Sequence, residues 1–590
     1  MPTDYGEKDS DGMIALFPNV FKSTILYDGS GGSRDASATV LLATSFVLAA
    51  GAYALFGKKY EKQKPWVTVP GRLPLVGHFH MIKSPDYLVD RTTEWAKLYA
   101  TENGAGCYEF YIFGDRTIAS CSQERLNEIM VHRPQRVFRA NQLREAAVSI
   151  GFNGVFMAEG QQWKQEHKLV AAALNKSNVQ DYLPILQEMS SRLIAKWSDE
   201  IGSACTATAI IDVDDDLGYV AADAISKSIM GRDLDFLGVN NRKQPSNNDG
   251  KGGSAAKDIL DLLTGMVFRI LMPIWYWRIP IIGQYLDGMG ASINRVYNLV
   301  DGIIQEHEEQ QEGQRHPNSQ SSNNKTFVQK LYELMKSEKS AALQRDRVVG
   351  NIITLFMAGT DTTSKTVALS LFLLARDKVL QEQLREEAED VDASSLPSLS
   401  DLYAQMPRLK SFLQEVHRCY GVPIVTLEPN EDIPFYGTTL RKGTSIFVCT
   451  QYIAMHDRDS SSKDDKVDGM DAKPESHPLP PKSEFCPTRF LVEAEQSKHG
   501  HPTKTLTCRP PNVKDGESLG FGFGVRSCPG RVYSEAFSYV LLNSMLRNFE
   551  WESPPPKNPD SEDVVRLIWN VTISPDCGVQ LQISKLRNKE

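Results

Sequence analysis

Residues 521–530 read Phe521-Gly522-Phe523-Gly524-Val525-Arg526-Ser527-Cys528-Pro529-Gly530. Glycines surround one cysteine, and an arginine stands two residues before it. Glycine lets a backbone approach a flat partner closely and take positive φ. Backbone N–H groups in a tight turn stabilise a thiolate. An arginine beside that thiolate can hold an external anion through a forked hydrogen bond. Thiolate, flat partner and anionic edge together point to heme, with iron on Cys528 and a propionate on Arg526. The competing reading is a glycine-rich surface turn around a structural cysteine. A nucleotide site is a weaker alternative. Gly520, Gly522 and Gly524 lack the G-x-G-x-x-G spacing, and no G-K-[ST] follows.

The stretch resembles the cysteine-ligand loop of the heme-thiolate monooxygenases, the cytochrome P-450 family, written Phe-x-x-Gly-x-Arg-x-Cys-x-Gly. Phe521, Gly524, Arg526, Cys528 and Gly530 fall in place. Upstream, the apolar helical stretch from Val348 to Ala375 carries Ala358-Gly359-Thr360-Asp361-Thr362-Thr363. An acid and several hydroxyls in a buried helix are costly unless satisfied or used. Hydroxyls that bond back to the preceding turn bend the helix, and Gly359 leaves room at its surface. A helix kink with locally bonded hydroxyls is the bland alternative. The element is similar to the family's Ala/Gly-Gly-x-Asp-Thr, which opens a notch over the heme for dioxygen. That resemblance implies that Asp361 relays protons from solvent and Thr362 holds the reacting oxygen and its water.

Glu415-Val416-His417-Arg418 places two opposite charges three residues apart on one helix face. Phe485-Cys486-Pro487-Thr488-Arg489-Phe490 resembles the family's Phe-x-Pro-x-Arg-Phe element. By that resemblance Arg489 joins Glu415 and Arg418 in a buried network whose role is structural. His417 reads as a surface residue on the same helix. Trp163 opens a stretch resembling the family's Trp-x-x-x-Arg helix, which faces the propionates, but the arginine position holds His167. His167 or the adjacent Lys168 is expected to donate to a propionate there. Many relatives carry another propionate arginine shortly before the acid at Asp432. Here Glu428 stands near that place and the contact stays open.

The remaining text fits one large tethered domain. The chain has 590 residues, 41% hydrophobic, and a formal charge of −9, which argues against a nucleic-acid partner. Nine cysteines without a C-x-x-C pair point to neither a zinc site nor a disulfide scaffold. Residues 1–35 are polar and mildly acidic, and residues 36–57 carry no charge. About 20 apolar residues span a bilayer as a helix. Lys58, Lys59, Lys62 and Lys64 follow, which places the C-terminal side in the cytoplasm. A cleaved signal peptide is the alternative, but it lacks a basic start and its leader is overlong. Pro65, Pro70 and Pro74 make the next segment a stiff hinge. Cys107 to Cys121 reads as a hairpin turning at Gly114-Asp115. Three polar inserts, 240–254, 310–325 and 460–483, are expected as surface loops. A further polar stretch, Glu495 to Glu517, delays the cysteine loop. The run from Met266 to Gly283 reads as a core segment or as a surface that dips into a membrane.

The expected fold is mainly α with a minor β-sheet, the cytochrome P-450 fold with a single N-terminal transmembrane helix. Its expected parts are a lumenal segment 1–35, an anchor 36–57, a hinge 58–75 and a heme-thiolate catalytic domain 76–590. The resemblance implies heme b (iron protoporphyrin IX) and monooxygenation of a lipophilic small molecule such as a sterol or fatty acid. No flavin or nicotinamide site is visible, so NADPH acts indirectly, through a separate flavoprotein reductase, with cytochrome b5 as an alternative donor. The expected location is the endoplasmic reticulum membrane. Two other readings stay open. One is a lipid-peroxide isomerase or dehydratase needing no reductase. The other is a non-catalytic, membrane-tethered heme protein.

Overall fold

The computed structural model describes residues 64–586, apart from four long stretches (most of 239–288 and of 314–344, then 457–479 and 556–566) and some shorter ones. The expected anchor and the greater part of each of the three expected loops lie outside the described residues. Among the described residues no helix is long and apolar enough to cross a membrane.

In chain order the helices are α1 (Leu88–Trp95), α2 (Gln123–Met130), α3 (Asn141–Val148), α4 (Gly160–Ala173), α5 (Lys176–Ser203) and α6 (Val213–Ile225). There follow α7 (Met289–Gly313), α8 (Arg345–Ala375), α9 (Lys378–Glu389), α10 (Leu399–Gln405), α11 (Pro407–Tyr420), α12 (Thr450–His456) and α13 (Arg531–Asn548). Local signals set several of their ends. Asn175 caps α5, its side chain accepting from the N–H of Asn178 at 2.9 Å. Pro407 occupies the first turn of α11, where a missing N–H leaves nothing unsatisfied. The 31 residues of α8 form the spine of the molecule. It packs on α6 along one side and on α13 along another, and α13 packs in turn on α5 and α9. One apolar core runs through these helices.

The strands collect at the other side. They are β1 (Val67–Thr68), β2 (Cys107–Ile112), β3 (Asp115–Ser120), β4 (Val137–Arg139), β5 (Thr208–Asp212), β6 (Val425–Pro429), β7 (Ile433–Phe435), β8 (Thr438–Leu440) and β9 (Ser445–Val448). The main sheet has the order β1-β2-β3-β9-β6-β4. The expected hairpin is β2 and β3, with Ile112 opposite Asp115. The segment expected as a hinge contributes β1, parallel to β2. It is fastened there by Glu109, a fully buried carboxylate that accepts from Arg116 Nε (2.6 Å), the Tyr111 hydroxyl (2.5 Å), Trp66 Nε1 (3.2 Å) and Lys64. Burial pushes the Glu109 pKa up, but Lys64, Tyr111 and Arg116 together hold it below the usual carboxylate value.

The last strands are β10 (Leu491–Lys498), β11 (His501–Cys508), β12 (Phe549–Glu552), β13 (Leu567–Asn570), β14 (Thr572–Pro575) and β15 (Gln580–Lys585). β15 lies between β12 and β5, so the end of the chain is sewn to residue 208 and its neighbours. Much of the polar stretch expected to delay the cysteine loop is regular. β10 and β11 form a hairpin in unbroken register from Leu491 opposite Cys508 to Lys498 opposite His501. The signal was alternation, not polarity. Thr505 and Thr507 are β-branched and, two residues apart, fall on one face of β11.

Candidate heme-thiolate site

Two 3₁₀ turns, Leu519–Phe521 and Gly524–Arg526, shape the cysteine loop. The Cys528 N–H closes the loop on the Phe521 carbonyl at 2.8 Å. Gly524 has φ +63°, a left-handed conformation that a side chain disfavours, and a Cβ there would press on the Met130 methyl at 3.0 Å. Gly520 lies against α11, where a Cβ would stand 2.3 Å from the His417 carbonyl. The loop is thus clamped to the helix that carries Glu415.

Cys528 has an open surface of its own. Burial is nonetheless the first cause of its raised pKa. The sulfur is open, yet enough protein surrounds it for burial to raise its pKa. Two backbone N–H groups, those of Gly530 and Arg531, donate to Sγ and oppose the rise, as do the nearby charges of Arg531 and Arg139. That donor set suits a sulfur carrying negative charge to a metal.

Arg526 turns away from the sulfur toward the start of α4. Its Nη1 donates to the Ala158 carbonyl at 2.9 Å and its Nη2 approaches Glu159 at 3.3 Å. Its guanidinium lies 4.7 Å over the Trp163 ring. Burial pushes its pKa down to about 10. Trp163 and His167 pack ring against ring, with centroids 5.0 Å apart. Burial first, then the Arg526 charge, lowers the His167 pKa, which disfavours the charged imidazole. Two residues that the motifs did not mark, Arg133 and Arg139, add positive charge beside Arg526. Arg133 Nη2 stands 3.7 Å from Glu159, and the Arg139 N–H donates to the same carboxylate oxygen at 2.8 Å. Three arginines in seven residues, Arg133, Arg136 and Arg139, were visible in the sequence. Their separation was not: Arg136 instead pairs with Glu431 and donates to the Asp432 carbonyl at 2.8 Å. Glu428, near the missing family arginine, accepts from the Asn141 N–H at the start of α3, at 2.9 Å.

On α8, Ala358, Thr362 and Thr366 recur every four residues and are half-buried, whereas Phe356, Met357 and Val367 are buried. The Thr362 hydroxyl donates to the Ala358 carbonyl at 2.7 Å, and that of Thr366 to the Thr362 carbonyl at 2.8 Å. The room left by Gly359 is taken by a neighbouring helix. A Cβ there would lie 2.4 Å from the Ile225 δ-methyl, so this glycine serves close packing of α8 on α6. Asp361 is buried, and its Oδ2 has no partner among the described residues. Burial raises its pKa to about 6, opposed by Lys365 and reinforced by Asp214. Lys365 and Asp214 themselves pair at 2.9 Å.

Glu415, Arg418 and Arg489 meet as a buried cluster. Arg418 forks onto Glu415 with two bonds of 2.7 Å, and Arg489 Nε reaches it at 3.1 Å. His417 is not a surface residue. Its ring packs on Phe521 at 4.4 Å, and burial lowers its pKa to about 3.

The fold is mainly helical with minor sheets, its cysteine loop is clamped to α11, and the Asp361–Thr362 pair stands on α8. The family model for "Cytochrome P450" matches residues 67–460 and 472–572. The chain belongs to the cytochrome P450 family, and as an enzyme it is a cytochrome P450 monooxygenase. It is 24% identical over 422 residues to a mitochondrial sterol 26-hydroxylase of Oryctolagus cuniculus, covering 70% of each chain. It is 21% identical over 572 residues to cytochrome P450 4V2 of Homo sapiens, covering 94% of this chain and 96% of that one. The crystal structure of a cytochrome P450DA heme domain superposes with TM-score 0.63 at 17% identity, over 88% of this chain and 96% of that one. Family membership implies a heme cofactor. The residues present fit that group: a thiol with two N–H donors, a glycine loop that allows close approach, and buried arginine atoms without partners.

Proposed function

We propose that this chain inserts one oxygen atom from O2 into a lipophilic small molecule, a sterol, fatty acid or similar lipid, using electrons passed singly from a separate flavoprotein reductase. The carrying observation is that Cys528, with its Gly530 and Arg531 N–H donors, shares the chain with the Asp361–Thr362 pair on α8. Heme bound on Cys528 would supply oxygen activation, to which a thiolate ligand lends electron density.

The chain's own residues would divide the rest of the work. Phe521, Gly524 and Gly530 keep the loop tight and thin beneath a flat ligand, and Arg526 and Trp163 border its edge. Thr362 presents its hydroxyl from the half-open face of α8. Asp361, with a pKa near 6, exchanges protons readily around neutral pH. Glu415, Arg418 and Arg489 hold the segment that leads to the loop. The lipid assignment is supported by the hydroxylase name of a relative at 24% identity. The membrane assignment, a lumenal segment 1–35, an anchor 36–57, a hinge 58–75 and a cytoplasmic domain 76–590 in the endoplasmic reticulum, rests on charge and hydropathy alone.

The test is spectroscopic and chemical. The reduced protein under carbon monoxide should show the thiolate-ligated signature, and Cys528→Ala should abolish it. Turnover of some lipid class should then require both O2 and NADPH with a reductase. Turnover of a lipid hydroperoxide without reductase would favour the isomerase reading. Cell fractionation with protease protection checks the membrane orientation.

A further inference from the structure

Lys365 stands one turn after Asp361 on α8, so the two share one face of that helix. Lys365 is half-buried and donates to Asp214 Oδ1 at 2.9 Å, across to the first turn of α6. Asp214 is itself gripped from a third side. The Val579 N–H donates to its Oδ2 at 2.7 Å, and a Cβ on Gly578 would stand 3.2 Å from the same oxygen. The Val213 N–H returns a bond to the Val579 carbonyl at 2.9 Å. The turn between β14 and β15 is thus tied to the start of α6. β14 packs on α8 and carries Thr572.

Asp361 Oδ2 and Thr572 Oγ1 are both buried without a hydrogen-bond partner among the described residues. Thr572 is nonetheless near enough to Asp361 to favour its charged form. Buried polar atoms in native proteins are nearly always bonded, so two idle oxygens side by side mark a place for a bridging water. The groups that face Asp361 are Lys365 from its own helix, Asp214 from α6 and the neutral Thr572 from β14. Lys365 favours the charged acid and Asp214 the neutral one.

We propose that Lys365 and Asp214 are positioning residues for proton supply: at the edge where α6 meets the β14–β15 turn, they and Thr572 set how readily Asp361 takes up and yields a proton. The proposal rests on the monooxygenase reading of the Asp361–Thr362 pair, and neither Lys365 nor Asp214 belongs to a motif read in the sequence. In that reaction O2, two protons and two electrons from the reductase turn a C–H bond into C–OH and release one water. Each turnover therefore draws two protons. A buried acid must refill from solvent, and the part-exposed Lys365–Asp214 pair lies one helical turn away.

The test follows the proton on Asp361 in full-length, heme-loaded protein held without reductase. The protonated carboxyl has an infrared carbonyl band, assigned by its loss in Asp361→Asn, and that band is titrated against pH. Lys365→Met should move its midpoint up by roughly one pH unit, and Asp214→Asn should move it down by roughly half a unit. Thr572→Val should move it up by a smaller step. Lys365→Gln replaces the methionine variant if that fails to fold. Lys365→Arg, which keeps the charge, should stay within about 0.3 unit of the unaltered protein. With reductase, the limb of the kcat–pH profile set by Asp361 should move in the same directions. A merely structural pair would lower the melting temperature in both variants and leave the midpoints in place. Unmoved midpoints, or midpoints that move the same way in Lys365→Met and Asp214→Asn, overturn the proposal. Opposite midpoint shifts in a protein whose Asp361→Asn variant turns over at full rate overturn instead the reading of Asp361 as a proton carrier, and the supply role with it.

Discussion

Glu415 faces two arginines and Glu159 faces three. Around Glu415, every side-chain nitrogen of Arg418 and Arg489 donates, either to the carboxylate or to the carbonyls of Ala454, Pro480, Pro481, Lys482 and Glu484. The Cys486 N–H adds a further donor to Glu415 at 2.8 Å. Around Glu159, buried nitrogens of Arg133 and an oxygen of Glu159 itself are idle. The same side chains therefore build a closed network at one place and an open one at the other. A closed network holds the chain. An open one keeps donors and an acceptor in hand that a partner could complete.

The largest effect should come from breaking the closed cluster. Glu415→Gln leaves two buried guanidinium groups without an anion and should cost about 3–5 kcal/mol of stability, read from urea melts. A loss below about 1 kcal/mol would mean that the carbonyls alone hold Arg418 and Arg489.

Asp361 is a buried acid that Lys365 and Thr572 offset only in part, and its sign should be opposite. Its folded pKa of about 6 exceeds the usual 3.8. The stabilising contribution of its proton is complete below about pH 4 and is lost as pH rises through 6. Asp361→Asn should thus stabilise the protein at pH 7.5 by on the order of 2–3 kcal/mol, with no gain at pH 4. Turnover should slow in the same variant. Equal melts of both proteins at pH 7.5 would show that the carboxylate is solvated.

In the open cluster, Arg133→Leu removes one surplus cation. The heme-free protein should gain about 1–2 kcal/mol by thermal melting, whereas the heme-loaded protein should not. Destabilisation of both forms alike would place Arg133 with the closed kind.

The smallest effect concerns His417. Its pKa falls from the usual 6.5 to about 3, so its neutral form is the folded one and stability is lost as pH drops from 6.5 toward 3. His417→Gln should leave neutral-pH melts unchanged and flatten that acid limb. A variant with the same acid limb would mean that the imidazole takes up its proton in the folded state.

Much of this was legible beforehand, for a local reason. The cysteine loop, the acid–alcohol element and the Glu415–Arg418 pair each lie within ten consecutive residues, where chemistry and spacing can be read together. The β10–β11 hairpin was missed because polar composition hid an alternating pattern. Gly359 was read as space for a ligand, and only the approach of Ile225 shows which neighbour takes that space. His417 was placed outside because its helix carries charges on both sides. The loop at Gly520 covers it.

By itself the sequence determined the thiol at 528, the acid at 361 and the order of the motifs, and with them the family. Those are properties of short stretches whose residues are bonded neighbours. Which cations stand beside the thiol was decided by tertiary structure alone. Arg133 and Arg139 are almost 400 residues from Cys528 in the chain. Only the folding of β4 and the start of α4 around Glu159 brings them to Arg526, because buried charge is arranged by packing in space and not by spacing along the backbone.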